Sequence, residues 1–366
     1  MISILSGCVE TQSNAVNLKW DQLPVLPDSI GFAGSFTGVS NSTLLVAGGS
    51  NFGPGGTPWN GATKTWYDNI FALETLTGTW KKVGKLPAPL GYGVSVSWHD
   101  KLICIGGNNA SGHFADVFML QYENGVIATE KLPALPKTNA NASGVVIGNV
   151  IYIAGGQEKP DSKTTENFFW SLDLSQKHKQ WQKLPAWPGA SRMLSVAGTQ
   201  NGEFYLFGGT ELVADEQGNP QRKFLTDAYR YNSETGWAKL ADLPEPIVAA
   251  PSPAFASGQS DLLIFGGDNG RYFKENATLK ARHPGFSDTI WAYHCLTDSW
   301  SIAGKIPTYK HTDAVANPNA SVWAPVTTPL AVWHGDIILA SGEVRPGTRT
   351  NRVLKVTVSK SNQLIN

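Results

Sequence analysis

Between Asn17 and about Lys360 the chain repeats one pattern of apolar and polar positions. Each unit opens on an alternating apolar strand and continues into a second strand that ends in a glycine doublet. A variable polar loop, a third strand with an aromatic residue, and a tryptophan followed by Leu-Pro complete it. Alternation with period two, bounded by turn residues, predicts half-buried β-strands throughout. The doublets are Gly48-Gly49, Gly106-Gly107, Gly155-Gly156, Gly208-Gly209 and Gly266-Gly267, with Ser341-Gly342 as a degenerate sixth. The closing signatures are Trp80 with Leu86-Pro87, Leu132-Pro133 without its tryptophan, Trp181 with Leu184-Pro185, Trp237 with Leu243-Pro244, and Trp300 with Ile306-Pro307.

One closure is therefore missing at the C-terminal end, and it stands at the other end of the chain. The run Asn17 to Pro24 carries Trp20 and Leu23-Pro24, yet no first three strands precede it. Pairing this strand with the last repeat closes a ring and leaves no bare sheet edge, so the two termini share one blade. A repeat of roughly 50 residues with four strands and a glycine doublet resembles the kelch repeat. The expected fold is all-β: one six-bladed β-propeller domain over residues 17–366, preceded by a short segment, residues 1–16, of different character.

Composition agrees with this picture. The chain has 366 residues, no formal net charge, 13 Trp, 38 Gly and 22 Pro, which is turn-rich and strand-rich. Neutrality removes the electrostatic argument for nucleic acid or an anionic membrane as partner. No apolar run approaches the roughly 18 residues of a spanning helix. Cys8, Cys104 and Cys295 have no metal-ligand spacing and are too few for a disulfide framework. Cys104, inside Leu102-Ile103-Cys104-Ile105, reads as a buried small hydrophobe. The seven histidines include no closely spaced pair, so no metal site is expected.

Near the start, Leu5-Ser6-Gly7-Cys8 looks like a bacterial lipobox, although the stretch before it is too short for a full signal peptide. The expectation is an upstream start, acylation of Cys8, and a polar tether from Val9 onward. An accidental match of four residues is the alternative.

The densest chemistry lies at Ser341-Gly342-Glu343-Val344-Arg345-Pro346-Gly347-Thr348-Arg349-Thr350-Asn351, between two apolar runs. It reads as a strand, a Pro-Gly turn and a second strand, placing one carboxylate and two guanidinium groups on one connection. A solvated hairpin is the plain reading. The residue after each doublet is polar in all six units, Ser50, Asn108, Gln157, Thr210, Asp268 and Glu343, which predicts a ring at one mouth of the central channel. For Ser50 and Thr210 strand-end hydrogen bonding is the stronger expectation. Arg192 and Arg271 arise at comparable places on other blades. Glu343 can take a hydroxyl proton or return one to a ring oxygen, the two acts that open and reclose a cyclic hemiketal. Arginine forks suit a carboxylate on the same ligand. Together they point to a small acidic sugar as partner.

Gly342-Glu343-Val344-Arg345-Pro346-Gly347-Thr348-Arg349-Thr350 resembles the Gly-Glu-x-Lys-Pro-Gly-x-Arg-Thr signature of the bacterial N-acetylneuraminate epimerases, or sialic acid mutarotases. Gly31-Phe32-Ala33-Gly34-Ser35-Phe36 with Leu44 to Gly49 resembles a second stretch of that family, which follows the Glu signature there and precedes it here. The chain thus resembles a circular permutant. The resemblance implies interconversion of the α and β anomers of N-acetylneuraminate, without a cofactor, in the periplasm. It assigns Glu343 as acid/base and Arg349 to the substrate carboxylate. Arg345 replaces a lysine, and Arg192 is a weaker correspondence. Arg271, Asp268, Asn108 and Gln157 complete the expected substrate contacts. A noncatalytic kelch module that binds glycan or protein, and an epimerase or lyase acting on uronic acids, stay open. The aromatic loop with Trp59 and Trp66 is the expected cover of the pocket.

Overall fold

The computed structural model describes residues 16–311 and 320–360, so Cys8 and part of the polar insertion beginning at His311 lie outside the described residues. Six four-stranded antiparallel sheets follow one another in chain order. Blade one shows the plan: Phe36–Ser40, Thr43–Ala47, Asn69–Leu73 and Lys81–Lys85 pair in sequence order. Blade six is composite. Leu330–Trp333, Asp336–Ala340 and Val353–Lys360 supply three strands, and Val16–Leu23 supplies the outermost, in register from Val16 opposite Lys360 to Leu23 opposite Val353. The orphan closure read at the N-terminal end is this clasp.

The apolar strand positions do not form one central core. They pack into six seams, each shared by two adjacent blades, including one between blades six and one that joins Phe32, Leu44 and Val46 to Trp333, Ile338 and Val353. Cys104 is fully buried in the seam between blades one and two. The seams also explain the closing signature. Trp80, Trp181 and Trp237 each donate their indole N–H to a proline carbonyl of the preceding blade, Pro24, Pro133 and Pro185, at 2.7, 2.9 and 2.7 Å. A buried indole needs such an acceptor, so the tryptophan of one repeat and the Leu-Pro of the previous one are two halves of a single joint.

Glycine doublets mark where the chain turns beneath its neighbour. At Gly48 φ is +66°, and a Cβ there would lie 2.3 Å from the Leu90 carbonyl oxygen, so no side chain fits. At the centre, Gly34, Tyr92, Asn141, Leu194, Ala249 and Thr327, one per blade and all with positive φ, form a closed circle. Each donates its backbone N–H to the carbonyl of the one before, and Gly34 donates to Thr327, at 2.7–2.8 Å. This hydrogen-bonded ring bars the axis and provides the floor of the mouth.

Candidate active site

Each of the six residues after a doublet makes an antiparallel bridge to the residue entering its own blade: Ala33 with Ser50, Gly91 with Asn108, Ala140 with Gln157, Met193 with Thr210, Val248 with Asp268, and Val326 with Glu343. The predicted ring of polar positions therefore exists. Ser50 and Thr210 are fully buried and bonded within the fold, Ser50 Oγ to the Tyr92 hydroxyl at 3.0 Å and Thr210 Oγ1 to the Lys223 carbonyl at 3.1 Å. Asn108, Gln157, Asp268 and Glu343 line a mouth cavity of about 380 Å³, with Arg349 beside them. Such a volume suits a ligand of sugar size.

Glu343 and Arg349 meet because their hairpin folds back on itself, placing them directly opposite each other. Glu343 Oε1 accepts the Gly347 N–H at 2.7 Å and lies 3.5 Å from Arg349 Nη1. Gly347 has φ +77°, and a Cβ there would strike Pro58 Cδ, so the turn that holds the carboxylate requires glycine. Arg349 is almost wholly buried. Its Nε and Nη2 point to the Ser50 carbonyl and the Tyr92 hydroxyl, each at 3.4 Å, and its guanidinium sits 5.0 Å from the Phe52 ring. Beyond its ion-pair approach to Glu343, Nη1 has no hydrogen-bond partner among the described residues. Burial pulls the Arg349 pKa down, but Glu343 and Tyr92 more than reverse this, so it ends above its ordinary value. A buried donor without an acceptor is costly unless a ligand supplies one.

Three expected contacts do not reach the cavity. Arg192 is completely enclosed between blades three and four, where Nη2 binds Asp227 Oδ2 at 2.7 Å, Nη1 binds the Gly208 carbonyl at 2.9 Å, and Trp187 and Tyr229 flank the guanidinium. It is a blade-to-blade tie. Arg345 is also buried, donating to the Ala281 carbonyl at 2.5 Å with its guanidinium 4.9 Å from the Trp323 ring. Strand alternation would aim Glu343 and Arg345 to the same side, but the register shifts between them and the irregularity turns Arg345 toward the insertion of blade five. Arg271 is exposed and lines a separate cleft with Tyr272, His283 and Lys310. The turn after Asp268, fixed by Gly270 N–H to Asp268 Oδ1 and Arg271 N–H to Asn269 Oδ1, leads it outward.

Other residues enter that sequence reasoning passed over. Arg222 comes from the hairpin Thr210–Ala214 and Pro220–Phe224 after the fourth doublet, and packs 5.7 Å from the Phe273 ring. Enclosure of its charged end lowers its pKa, which Asp268 and Glu343 partly offset. Burial likewise raises Asp268, and Glu343 adds to this, against the pull of the Gly270 N–H and Arg222. Lys64 stands 4.0 Å from the Tyr92 ring. Of the aromatic loop expected as a cover, Phe52, Pro58 and Lys64 line the mouth, while Trp66 braces Asn108 through Nε1 to Oδ1 at 3.0 Å. The hairpin after Gly209 bore the same signal as the other insertions: extra length after a doublet.

A family model described as N-acetylneuraminate epimerase matches residues 8–128 and 132–365. The chain belongs to this family. A curated N-acetylneuraminate epimerase of Haemophilus influenzae (strain 86-028NP) is 27% identical over 241 residues, 60% of this chain and 57% of that relative. One from Salmonella typhi is 43% identical over 107 residues, 26% of this chain and 27% of the relative. The chain thus spans 57% of the length of the Haemophilus epimerase it matches. A solved structure titled "Structure of YjhT" superposes with a TM-score of 0.63 at 15% identity, covering 80% of this chain and 89% of that one, a likeness of fold. The hairpin of Glu343 and Arg349 carries two buried arginines, Arg345 and Arg349.

Proposed function

We propose that the protein is a sialic acid mutarotase, an isomerase that interconverts the α and β anomers of N-acetylneuraminate. The observation that carries this reading is the 3.5 Å approach of Glu343 Oε1 to Arg349 Nη1 in the wall of one cavity. In N-acetylneuraminate the carboxylate is attached to the anomeric carbon itself. A guanidinium that holds this carboxylate therefore brings the anomeric hydroxyl beside whatever lies next to the guanidinium, and that group is Glu343. In a uronic acid the carboxylate sits across the ring oxygen from the anomeric carbon, which this spacing fits less well. Glu343 takes the anomeric hydroxyl proton and delivers it to the departing ring oxygen as the ring bond breaks, giving the open keto form. Rotation and reclosure on the other face, with the proton carried back from the ring hydroxyl to the carbonyl oxygen, give the second anomer. A positioned acid/base contributes about 10² to 10⁴ in rate, enough for a reaction that already proceeds in water.

Family membership supports the substrate class, and the unsatisfied Arg349 Nη1 supports a carboxylate ligand. The test is proton NMR of N-acetylneuraminate freshly released as the α anomer by a sialidase. Faster approach to equilibrium with wild-type protein, lost in Glu343→Gln, supports the reading; an unchanged rate with wild-type protein rejects it.

Two further readings accompany the first. The reversed order of the two family stretches is read as a circular permutation, which a ring closed by the pairing of Val16–Leu23 with Val353–Lys360 tolerates. Export and acylation at Cys8 would place the enzyme in the periplasm on a membrane anchor. Incorporation of labelled palmitate that disappears in Cys8→Ala checks this.

A further inference from the structure

The mouth holds a second carboxylate that the proton transfers just described leave unused. Asp268 occupies in blade five the position that Glu343 occupies in blade six. Each follows a glycine doublet, and each bridges the residue entering its own blade, Val248 and Val326. Both line the same cavity, on adjoining walls. Each has one oxygen tied to a backbone N–H two to four residues ahead, Gly270 to Asp268 Oδ1 at 2.9 Å and Gly347 to Glu343 Oε1 at 2.7 Å, which leaves the other oxygen for a ligand. Arg222, from the hairpin of blade four, lies within electrostatic reach of both.

We propose that Asp268 is the general acid of the reaction, paired with Glu343 as general base. The proposal rests on the hemiketal-opening reading above. On opening, Glu343 removes the proton from the anomeric hydroxyl, the carbon–oxygen ring bond breaks as the carbonyl forms, and the departing ring oxygen takes the proton of Asp268. On reclosure the liberated hydroxyl attacks the opposite face of the carbonyl and gives its proton back to Asp268. Glu343 returns its proton to the carbonyl oxygen. Both carboxyl groups end as they began, and no external proton carrier is needed. With Glu343 alone, one proton would have to travel from the anomeric oxygen to the ring oxygen within each opening.

The environments of the two groups favour this division. Burial and the charge of Glu343 hold the Asp268 carboxyl above its ordinary 3.8, opposed by the Gly270 N–H and Arg222. On its other side Asp268 borders the cleft lined by Glu245, Arg271, His283, Asp288 and Lys310. A carboxyl that its surroundings hold protonated to higher pH is suited to the donor's part.

The test is the pH dependence of anomer exchange, followed by NMR, for wild-type protein, Asp268→Asn and Asp268→Glu. Asparagine keeps the acceptor for Gly270 and cannot donate an acidic proton. The expected result is a fall in kcat of about 100-fold, a KM within a few-fold of wild type, and loss of the alkaline limb of the kcat profile. Asp268→Glu restores part of the rate and the limb. Should Asp268→Asn melt well below wild type, that restoration by glutamate decides the matter, since a purely structural site has no reason to restore a pH limb. A wild-type kcat with the alkaline limb intact in Asp268→Asn overturns the proposal, as does a change confined to KM. If wild-type protein accelerates nothing, the reaction itself falls and this role with it; if wild-type protein is active and Asp268→Asn equally so, this role alone falls.

Discussion

Arg192 and Asp227 form an ion pair at 2.7 Å that crosses from blade three to blade four, with the arginine side chain fully buried. Breaking one side of such a pair strands the other, at a cost of about 3–5 kcal/mol. Arg192→Ala should therefore lose stability on that scale in urea unfolding. Because the pair lies outside the mouth cavity, kcat of the folded fraction should stay near wild type. A large fall in kcat with stability intact would return Arg192 to the substrate.

The acid sensitivity of the same pair follows from Asp227. Burial tends to raise its pKa, but the hydrogen bond and charge of Arg192, with the Tyr229 hydroxyl, more than reverse this and set it below the ordinary 3.8. A depressed carboxyl contributes stability that is present above its unfolded value and is lost as pH falls through the folded one. Asp227→Asn should be less stable than wild type at neutral pH, and the gap should narrow below about pH 4. Urea midpoints at pH 7 and pH 3 measure it.

The fold was legible because its determinants recur. The doublets and the Trp with Leu-Pro signature appear in blade after blade, and Trp80 bonding to Pro24 shows why the isolated N-terminal closure could be assigned to the other end of the chain. Glu343 and Arg349 were legible as neighbours because the Pro346-Gly347 turn folds one strand back on the other, although it is the register shift between Glu343 and Arg345 that sets Glu343 opposite Arg349. Arg192 and Arg345 were not. Both sit beside the right elements, but their direction depends on a buried partner in one case and a register shift in the other. Neither is visible in residue spacing. Arg222 was missed for a related reason: it reaches the mouth only because its hairpin, Thr210–Ala214 with Pro220–Phe224, has the length to bend over Asp268.

Arg349 offers a test of what the mouth binds. Its Nη1 is the buried donor awaiting an acceptor. Lysine keeps the charge without the fork, so Arg349→Lys should lower kcat/KM for N-acetylneuraminate by about 10- to 100-fold, the worth of a charged hydrogen bond. The methyl ester of the sugar should be a poor substrate for wild type by a similar factor. The two losses should not add when combined, because each removes the same contact. Additive losses would place the carboxylate elsewhere.

The clasp can be weakened without touching the mouth. Trp20 lies on the N-terminal strand, half-buried, with its ring 6.2 Å edge-on from Phe265 of blade five. A fully buried Trp→Ala costs about 3–5 kcal/mol, and partial burial reduces this to about 2 kcal/mol by area. Trp20→Ala should lower the melting temperature by several degrees, with KM unchanged. No change in melting would mean that the composite blade draws its strength from backbone pairing alone.

His283 sets a second pH window, distinct from that of Asp227 and placed beside the mouth. The imidazole is buried between Tyr272 and Phe286, where Nδ1 accepts the Gly285 N–H at 3.1 Å. Burial first, then the charges of Arg345 and Lys310, push its pKa down from 6.5 to about 4, with Glu343 acting weakly the other way. Between those values the unfolded chain binds a proton that the folded one refuses, so stability falls as pH drops. A tenfold difference in proton affinity is worth about 1.4 kcal/mol, so the effect is on the order of 3 kcal/mol and is complete once the pH has fallen through the folded value. The loss should fall first on the insertion that carries it, the short helical turns Phe273–Glu275, Asn276–Leu279 and Lys280–Arg282, because these lie on the surface of blade five and bury none of their own residues. Phe273 and Asn276 line the mouth, so their release should cost substrate binding before the propeller melts. Hydrogen-exchange protection at these residues, measured against the intrinsic exchange rate at each pH, should fall from about pH 6.5 to about pH 4.5 while the blade strands stay protected. His283→Gln, which cannot take up the proton, should abolish that loss of protection. Protection that falls equally in the variant would assign the acid response to another group.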